Sequence, residues 1–221
     1  MIDQGWFTVF QPVVTEATLA ALILLMVVYG VFNLQSKLIS VRNFASLSIL
    51  FSVYVGFKFF PDQSITAMGG LYIADGFGVM IKAVIALSAL FALRYAKAYY
   101  EQLKVRPFEY SILLTLSVLG MFIMVSANDL MTVYLGAELQ SLPLYLMASI
   151  RRDDEAAGEA GLKYFALGAV ASGLILYGIS LIYGFSGSTD FQSISSFTLM
   201  SGGVLSAGFL TGMVFFLCGI A

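Results

Sequence analysis

Residues 129–152 read DLMTVYLGAELQSLPLYLMASIRR, an apolar stretch that carries one glutamate, Glu138, near its middle. Pro143 follows five residues later, and Arg151 and Arg152 close the stretch. An acidic side chain at the centre of a bilayer costs roughly 2.5 to 3.5 kcal/mol, so it normally faces the protein interior and marks an ion or proton path. Glu138 is therefore the first candidate for proton or cation movement.

The rest of the composition is typical of an integral membrane protein. Of the 221 residues, 60% are hydrophobic and only 11% are charged, which no water-soluble domain of this size would show. Long apolar runs without alternation favour helices over barrel strands. The sequence predicts an all-α, polytopic membrane helix bundle in one domain, 1–221. Its seven apolar segments, each near spanning length, are 13–32, 44–60, 77–95, 110–125, 130–150, 162–183 and 202–220.

The basic residues lie mostly in alternate connections. The first, third and fifth connections hold Lys37, Arg42, Arg94, Lys97, Lys104, Arg106, Arg151 and Arg152. By the positive-inside rule, these odd connections face the cytoplasm and the N-terminus lies outside. We expect the first helix to be retained, because residues 1–11 do not resemble a cleaved signal.

Several kinds of chemistry are excluded by residue type. Histidine is absent and Cys218 is the one cysteine, so the sequence has no imidazole relay and no zinc or iron–sulfur pattern. Its glycine-rich pieces lack the lysine of a phosphate loop. We predict no cofactor-binding or metal-binding residues in this chain and no nucleic-acid partner; the lipid bilayer is its surroundings.

Lys163 is the candidate partner of Glu138, in the next apolar segment. Counting about 1.5 Å per residue from the shared connection, the two side chains differ in depth by only about 8 Å. They can form an ion pair, directly or through water, if they share a face. Two other interpretations stay open: an ion pair that only fixes helix packing, or a lysine that extends to the cytoplasmic interface.

Three residues near Glu138 are candidate supporting groups. Pro143 has no N–H to donate to the carbonyl of Leu139, which predicts a kink in this helix. With Gln140 and Ser141, the freed carbonyl could hold water one turn from the carboxylate.

Lys82 lies inside the third segment, four to five residues from its outer end. We predict that it extends to the interface or pairs with Asp75, and we keep it as a possible supporting group of the site. Glu16, one turn into the first segment, is interpreted as interfacial.

Two local features predict how the later helices pack. The turn Ser126-Ala127-Asn128-Asp129 should join segments four and five, with Asn128 or Asp129 capping the next helix. Small residues in segment six allow close helix approach and predict a packing seam. They are Gly168, Ala169, Ala171, Ser172 and Gly173.

Two stretches, SANDLMTVYLGAELQSLPLYLMASIRR (126–152) and EAGLKYFALGAVASGLILYGISLIYGFSGSTDF (159–191), closely resemble the subunit N family of the proton-translocating NADH:quinone oxidoreductases, or respiratory complex I. The match is densest over 108–191 and weaker over the first three helices. Sister subunits M and L and the multisubunit sodium/proton antiporters share the Glu-then-Pro helix.

The resemblance implies an antiporter-like fold with inverted repeats, in which 1–106 form the first three helices and 107–221 begin the first repeat. It implies that Glu138 and Lys163 are members of a central proton axis of Glu, Lys and water, completed in the family by a lysine on a broken seventh helix and further basic residues in a second, inverted repeat. It also implies a subunit without its own redox centre. The expected partners are other membrane subunits of a bacterial inner-membrane complex, especially antiporter-like neighbours, with flavin and iron–sulfur clusters in partner subunits.

The last segment ends within apolar sequence at Ala221, before the position at which the family has its next lysine. We therefore expect the natural chain to continue. Two alternatives remain: a subunit of a multisubunit sodium/proton antiporter, and a scaffold or assembly piece without pumping of its own.

Overall fold

The computed structural model describes residues 11–32, 38–59, 64–103, 107–200 and 205–221, without the side chains of 38–40, 97–103 and 107. Lys37, Lys104, Arg106 and the first residues of the predicted segment 202–220 lie outside the described residues, as does the side chain of Lys97.

Helices make up nearly all of the described chain, which confirms the prediction of an all-α membrane bundle. The eight α-helices among the described residues are α1 (Val14–Phe32), α2 (Leu38–Lys58), α3 (Gly76–Leu103), α4 (Pro107–Val125), α5 (Leu130–Ala148), α6 (Glu155–Ser186), α7 (Phe191–Met200) and α8 (Ala207–Ile220). Within the described ranges, four helical spans are long and apolar enough to cross a membrane: Gln11–Phe32, Gly76–Ala96, Phe108–Val125 and Glu155–Ser186. Helix α8 is a shorter apolar helix, and α7 is an additional short helix that the hydropathy pattern did not predict.

A small β-hairpin between α2 and α3 was also missed. Strand β1 (Ile65–Ala67) pairs antiparallel with β2 (Tyr72–Ala74), with Ala67 opposite Tyr72. The connecting turn needs positive φ at Gly69 (69°) and Gly70 (98°), which glycine adopts without strain. This hairpin marks one side of the molecule, called the hairpin side below; the Arg151–Arg152 turn lies on the other, called the turn side.

The helices pack around two apolar cores. The first joins α1, α2, α3 and α4 through buried residues that include Leu19, Ile49, Leu93 and Phe122. The second joins α5, α6 and α8, with Phe209 fully buried. Large apolar side chains elsewhere remain exposed on the outer faces, as expected where the surrounding solvent is lipid.

Helices α4 and α5 approach so closely that only glycine fits between them. A Cβ on Gly120 would contact the backbone of Gln140 and lie 2.8 Å from the carbonyl oxygen of Gly136. A Cβ on Gly136 would lie 2.9 Å from the backbone nitrogen of Met124. The two helices therefore form the hairpin expected from the short turn between them.

That turn provides the predicted helix cap. Asp129 accepts a hydrogen bond from the backbone N–H of Met131 at 2.7 Å, which confirms the capping prediction. From this cap, α5 continues through the buried Pro143 to Ala148 as a single helix.

Candidate functional site

Glu138 is half-buried in α5, about 13 Å along the helix from Asp129. Tyr134, one turn earlier, has its hydroxyl 3.1 Å from Ser172 Oγ on α6. Tyr145, two turns later, packs edge-on against Tyr164 of α6 with 4.8 Å between ring centroids. Because residues four before and seven after Glu138 both contact α6, Glu138 lies on the stripe of α5 that faces α6.

Lys163 does not pair with Glu138 in this structure. Its Nζ lies 2.5 Å from Glu159 Oε1, one turn earlier on α6, and the two side chains are 70% and 65% exposed. Among the described residues, Glu138 has no ion-pair or hydrogen-bond partner. The structure thus lacks the Glu138–Lys163 pair of the first two interpretations, and the exposed lysine binds a residue one turn nearer the turn side, in the direction that the interfacial interpretation describes.

Helix periodicity explains why the two remain apart. The α5-facing stripe of α6 contains Gly161 beside Ser149, Gly168 beside Tyr145, and Ser172 beside Tyr134. These positions are seven and four residues apart and so share a face. Lys163 comes two residues after Gly161, about 200° around the helix, on the opposite face.

The predicted packing seam is therefore only partly formed. Gly168 and Ser172 contact α5, but a Cβ on Gly173 would meet nothing within 4 Å, and Ala169 is exposed. Farther along α6, a Cβ on Gly178 would lie 2.5 Å from the backbone nitrogen of Phe216, so the small residues there serve the contact with α8.

The three predicted supporting residues have different surroundings. Ser141 donates its hydroxyl hydrogen to the carbonyl of Ala137 at 2.8 Å, so it binds the helix rather than the carbonyl freed by Pro143. Gln140 is half-buried, and its backbone contacts Gly120 of α4. Pro143 is fully buried.

The interpretation of Lys82 as an interfacial or Asp75-paired residue is wrong. Its Nζ lies 2.5 Å from Glu16 Oε1, with the two side chains 7% and 4% exposed, and it donates to the Tyr72 hydroxyl at 3.1 Å. Asp75 instead accepts a hydrogen bond from the backbone N–H of Gly78. Glu16 is likewise buried rather than exposed at an interface. The first and third segments carry opposite charges near the same predicted outer end, and this was the signal that could have indicated the pair.

Tyr72, on strand β2 of the hairpin, contacts this ion pair through its hydroxyl. Burial, and then the charge of the Glu16 carboxylate, raises the pKa of the Tyr72 phenol above its usual value. The phenol therefore stays protonated, and its hydroxyl can accept from Lys82 while its own hydrogen is available to another group.

A polar network on the hairpin side ties these parts together. The amide of Asn128 donates to the carbonyl of Gly70 at 2.8 Å and to Asp190 Oδ1 at 3.3 Å. Thr189 donates its hydroxyl to Asp129 Oδ2 at 2.5 Å. The hairpin, the start of α5 and the segment after α6 are thus held in one assembly of hydrogen bonds.

The available side chains limit the chemistry. Within the described ranges, no three His, Cys, Asp or Glu residues come together in a group that could hold a metal ion. The buried or half-buried ionisable groups of the described ranges include carboxylates, the amine of Lys82, the guanidinium of Arg42 and phenols. Carboxylates, amines and phenols exchange protons and need no redox cofactor to do so.

Comparison with known proteins identifies the family of this chain. Residues 127–221, which contain the whole of α5 and α6, match the family model described as "NADH:quinone oxidoreductase/Mrp antiporter, TM". The chain is 43% identical over 214 residues to the NADH-quinone oxidoreductase subunit N of Rhodobacter capsulatus, which covers 96% of this chain. The chain belongs to this antiporter-like family. The family resemblance stated from the sequence is therefore confirmed.

Relatives within the antiporter-like family are considerably longer. The subunit N of Erythrobacter litoralis is 48% identical over 161 residues, which are 73% of this chain and 32% of that protein. The alignment with the Rhodobacter capsulatus protein covers 44% of that relative. The chain thus spans less than half the length of these relatives.

Solved structures of large membrane complexes contain the same fold. A chain of respiratory complex I from Thermus thermophilus with bound aureothin superposes with a TM-score of 0.72 and 25% identity, over 93% of this chain and 43% of that one. A chain of the archaeal membrane-bound sulfane sulfur reductase superposes with a TM-score of 0.68 at 17% identity, over 97% of this chain and 43% of that one, and shows the fold alone.

Proposed function

We propose that this chain contributes to proton translocation as part of a non-redox membrane subunit of a bacterial NADH:quinone oxidoreductase. The observation that carries the proposal is Glu138, a half-buried carboxylate with no partner among the described residues, on the α6-facing stripe of α5. It lies within the region that matches the antiporter-like family. Intramembrane ionisable residues without a structural partner are functional by default.

The carboxylate of Glu138 is the group that takes up and releases the proton. No fixed cation neutralises it among the described residues, so binding a proton removes an uncompensated charge from a low-dielectric region. The hydroxyls of Tyr134 and Ser172 lie about one turn away on the same interface and can donate to the carboxylate through water. Proton occupancy of Glu138 then changes the charge between α5 and α6.

Lys163 is the next charge in the proposed path, at the turn side of α6. Its pairing with Glu159 leaves the ammonium exposed and free to exchange partners, since an exposed ion pair of this kind contributes little free energy. Because Lys163 faces away from α5, a change of charge on Glu138 acts on it through the electric field across α6 and not through contact, and it shifts the balance between the Glu159-paired ammonium and one that has left Glu159. Downstream basic groups would come from outside these 221 residues.

The expected surroundings follow from the family. Neighbouring antiporter-like membrane subunits border the exposed apolar faces, flavin and iron–sulfur clusters reside in other subunits, and the complex lies in the inner membrane. The turn side, with Arg151 and Arg152, faces the cytoplasm in this proposal, because basic connections are retained there.

The test is Glu138→Gln in the native complex, measured as protons translocated per quinone reduced. We expect pumping to be abolished or strongly reduced, while the complex assembles and still oxidises NADH. The control is Glu155→Gln, which changes an exposed carboxylate at the start of α6. Full pumping by Glu138→Gln would contradict the proposal.

A subunit of a multisubunit sodium/proton antiporter is the second candidate, because the matching family model covers both kinds of complex. Purification in mild detergent separates the two: flavin-containing and iron–sulfur-containing partners support the oxidoreductase. Co-purified membrane subunits without those cofactors, together with sodium-dependent proton exchange, would support the antiporter.

A further inference from the structure

The ion pair between Glu16 and Lys82 lies outside the proposed path through Glu138 and Lys163, yet it is the most deeply buried pair of opposite charges among the described residues. Nζ of Lys82 is 2.5 Å from Oε1 of Glu16, and both side chains are less than 10% exposed. The Tyr72 hydroxyl also lies close to the Glu16 carboxylate, and its interaction with Glu16 helps to raise the pKa of the phenol. Lys82 therefore balances the charge of Glu16, and Tyr72 is a second, neutral neighbour of the carboxylate.

A small cavity borders Lys82 on the hairpin side of this pair. Its volume is about 20 Å³, enough to hold one water molecule, and its polar wall is formed by Gln11, Thr15, Asp75 and Lys82. The cavity lies between the start of α1, the end of α2, the hairpin and the start of α3. A water molecule in this cavity would contact Lys82 on one side and the polar side chains of Gln11, Thr15 and Asp75 on the other.

We propose that Glu16 and Lys82 form a second protonation site, which exchanges protons with water on the hairpin side. Lys82 transfers an ammonium proton to Glu16: one N–H bond breaks, one O–H bond forms, and the lysine is left as a neutral amine. A hydronium ion in the cavity then protonates the amine, breaking its own O–H bond and leaving water. The net change is one proton taken up, with Glu16 as a carboxylic acid and Lys82 again an ammonium.

The other groups around the pair allow this exchange. Tyr72 receives the hydrogen bond of Lys82 and keeps the amine oriented, and Asp75 stays bonded to the N–H of Gly78 while its charge attracts the incoming proton. From the remaining packed elements, the described neighbours are Gly56 and Phe59 of the α2 end and Ser126 of the α4 end, none of which titrates in the physiological range. Glu16, Lys82 and Asp75 are thus the groups that set the charge of the site.

The Glu16–Lys82 site lies apart from Glu138, and it is tested by a different measurement. Glu16 is on α1 and Lys82 on α3, in the first apolar core region, whereas Glu138 faces α6. The protonation of Glu16 can be measured directly, without measuring pumping. A failure of this proposal therefore leaves the proposed role of Glu138 untouched, and the reverse also holds.

Infrared difference spectroscopy of the chain in its native membrane complex tests the proposal. We expect a carbonyl band of a buried protonated carboxyl group in the difference between spectra recorded at low and at high pH. The band should be lost in Glu16→Gln and shifted in frequency in Glu16→Asp, which keeps a carboxyl group if Glu16→Gln fails to assemble. Lys82→Arg should shift the pH at which the band appears, because a guanidinium does not give up its proton.

The matched control is Glu159→Gln, which removes the carboxylate of an ion pair with the same 2.5 Å separation that is exposed instead of buried. It should leave the band unchanged. A spectrum without a titrating carboxyl band would overturn the proposal and leave the pair as a structural contact between α1 and α3. A band that persists unshifted in Glu16→Gln or Glu16→Asp would assign the proton to another residue and overturn it as well.

Discussion

Lys82 Nζ lies 2.5 Å from Glu16 Oε1 and joins α3 to α1 at a buried position. The ion pair Lys163–Glu159 has the same separation but lies on the exposed surface of one helix. Identical distances thus occur in opposite environments. The energetic weight of each pair depends on burial, because removing one partner of a buried pair leaves a charge that water cannot solvate.

Replacing the lysine of each pair separates these two cases. Lys82→Met should lower the stability of the assembled chain by about 3 to 5 kcal/mol, since Glu16 becomes an uncompensated buried charge. Lys163→Met should cost no more than about 0.5 kcal/mol, as expected for an exposed pair one turn apart on a helix. Thermal unfolding of the purified complex measures both, and equal losses would contradict the assigned burial of Lys82.

The contact between α4 and α5 can be tested with one added methyl group. Gly120→Ala places a Cβ against the backbone of Gln140 and the carbonyl of Gly136, and backbone cannot move aside cheaply. We expect a destabilisation of about 1 to 3 kcal/mol, with reduced pumping because the shift of α5 displaces Glu138. Gly173→Ala on α6 is the control, since its Cβ would meet nothing within 4 Å. The expectation fails if both variants unfold at the same temperature.

Two helix caps, Asp129 and Asp154, provide a third comparison. Asp129 caps α5 and also accepts from Thr189, whereas the side chain of Asp154 caps α6 at the turn side and has, among the described residues, the exposed Arg151 as its further partner. Asp129→Ala should cost more than the roughly 0.5 to 2 kcal/mol of a lost cap, because Thr189 also loses its acceptor. Asp154→Ala should stay within that range. Unfolding midpoints that rank the two variants in the opposite order would be inconsistent with the hairpin-side network.

The hydroxyl of Tyr134 offers a test of the surroundings of Glu138. Tyr134→Phe removes the hydrogen bond to Ser172 one turn from the carboxylate, and one such bond contributes about 1 kcal/mol, or about fivefold in an equilibrium. We expect a several-fold lower pumping rate with normal assembly. Tyr177→Phe, which changes an exposed ring on α6, is the control. Unchanged pumping in Tyr134→Phe would remove Tyr134 from the proposed path.

Local features were predictable from the sequence. The cap at Asp129 follows from a short polar residue immediately before an apolar run, and the α4–α5 hairpin follows from the turn at 126–129. By contrast, α7 and the β-hairpin were missed because each is too short to produce a hydropathy signal. Whether Lys163 shares a face with Glu138 could not be predicted, because depth along α6 does not give the rotation of a residue about the helix axis.

The sequence by itself determined that this chain is an all-α membrane bundle with a carboxylate, Glu138, in the interior of one helix, since long apolar runs can satisfy their backbone hydrogen bonds only as helices in lipid. Which charges meet was decided by the tertiary structure alone. Lys82 and Glu16 are 66 residues apart, and the packing of both α1 and α3 against α2 and α4 brings them together. Lys163 faces away from Glu138 because the small residues Gly161, Gly168 and Ser172 provide the face of α6 that approaches α5 most closely.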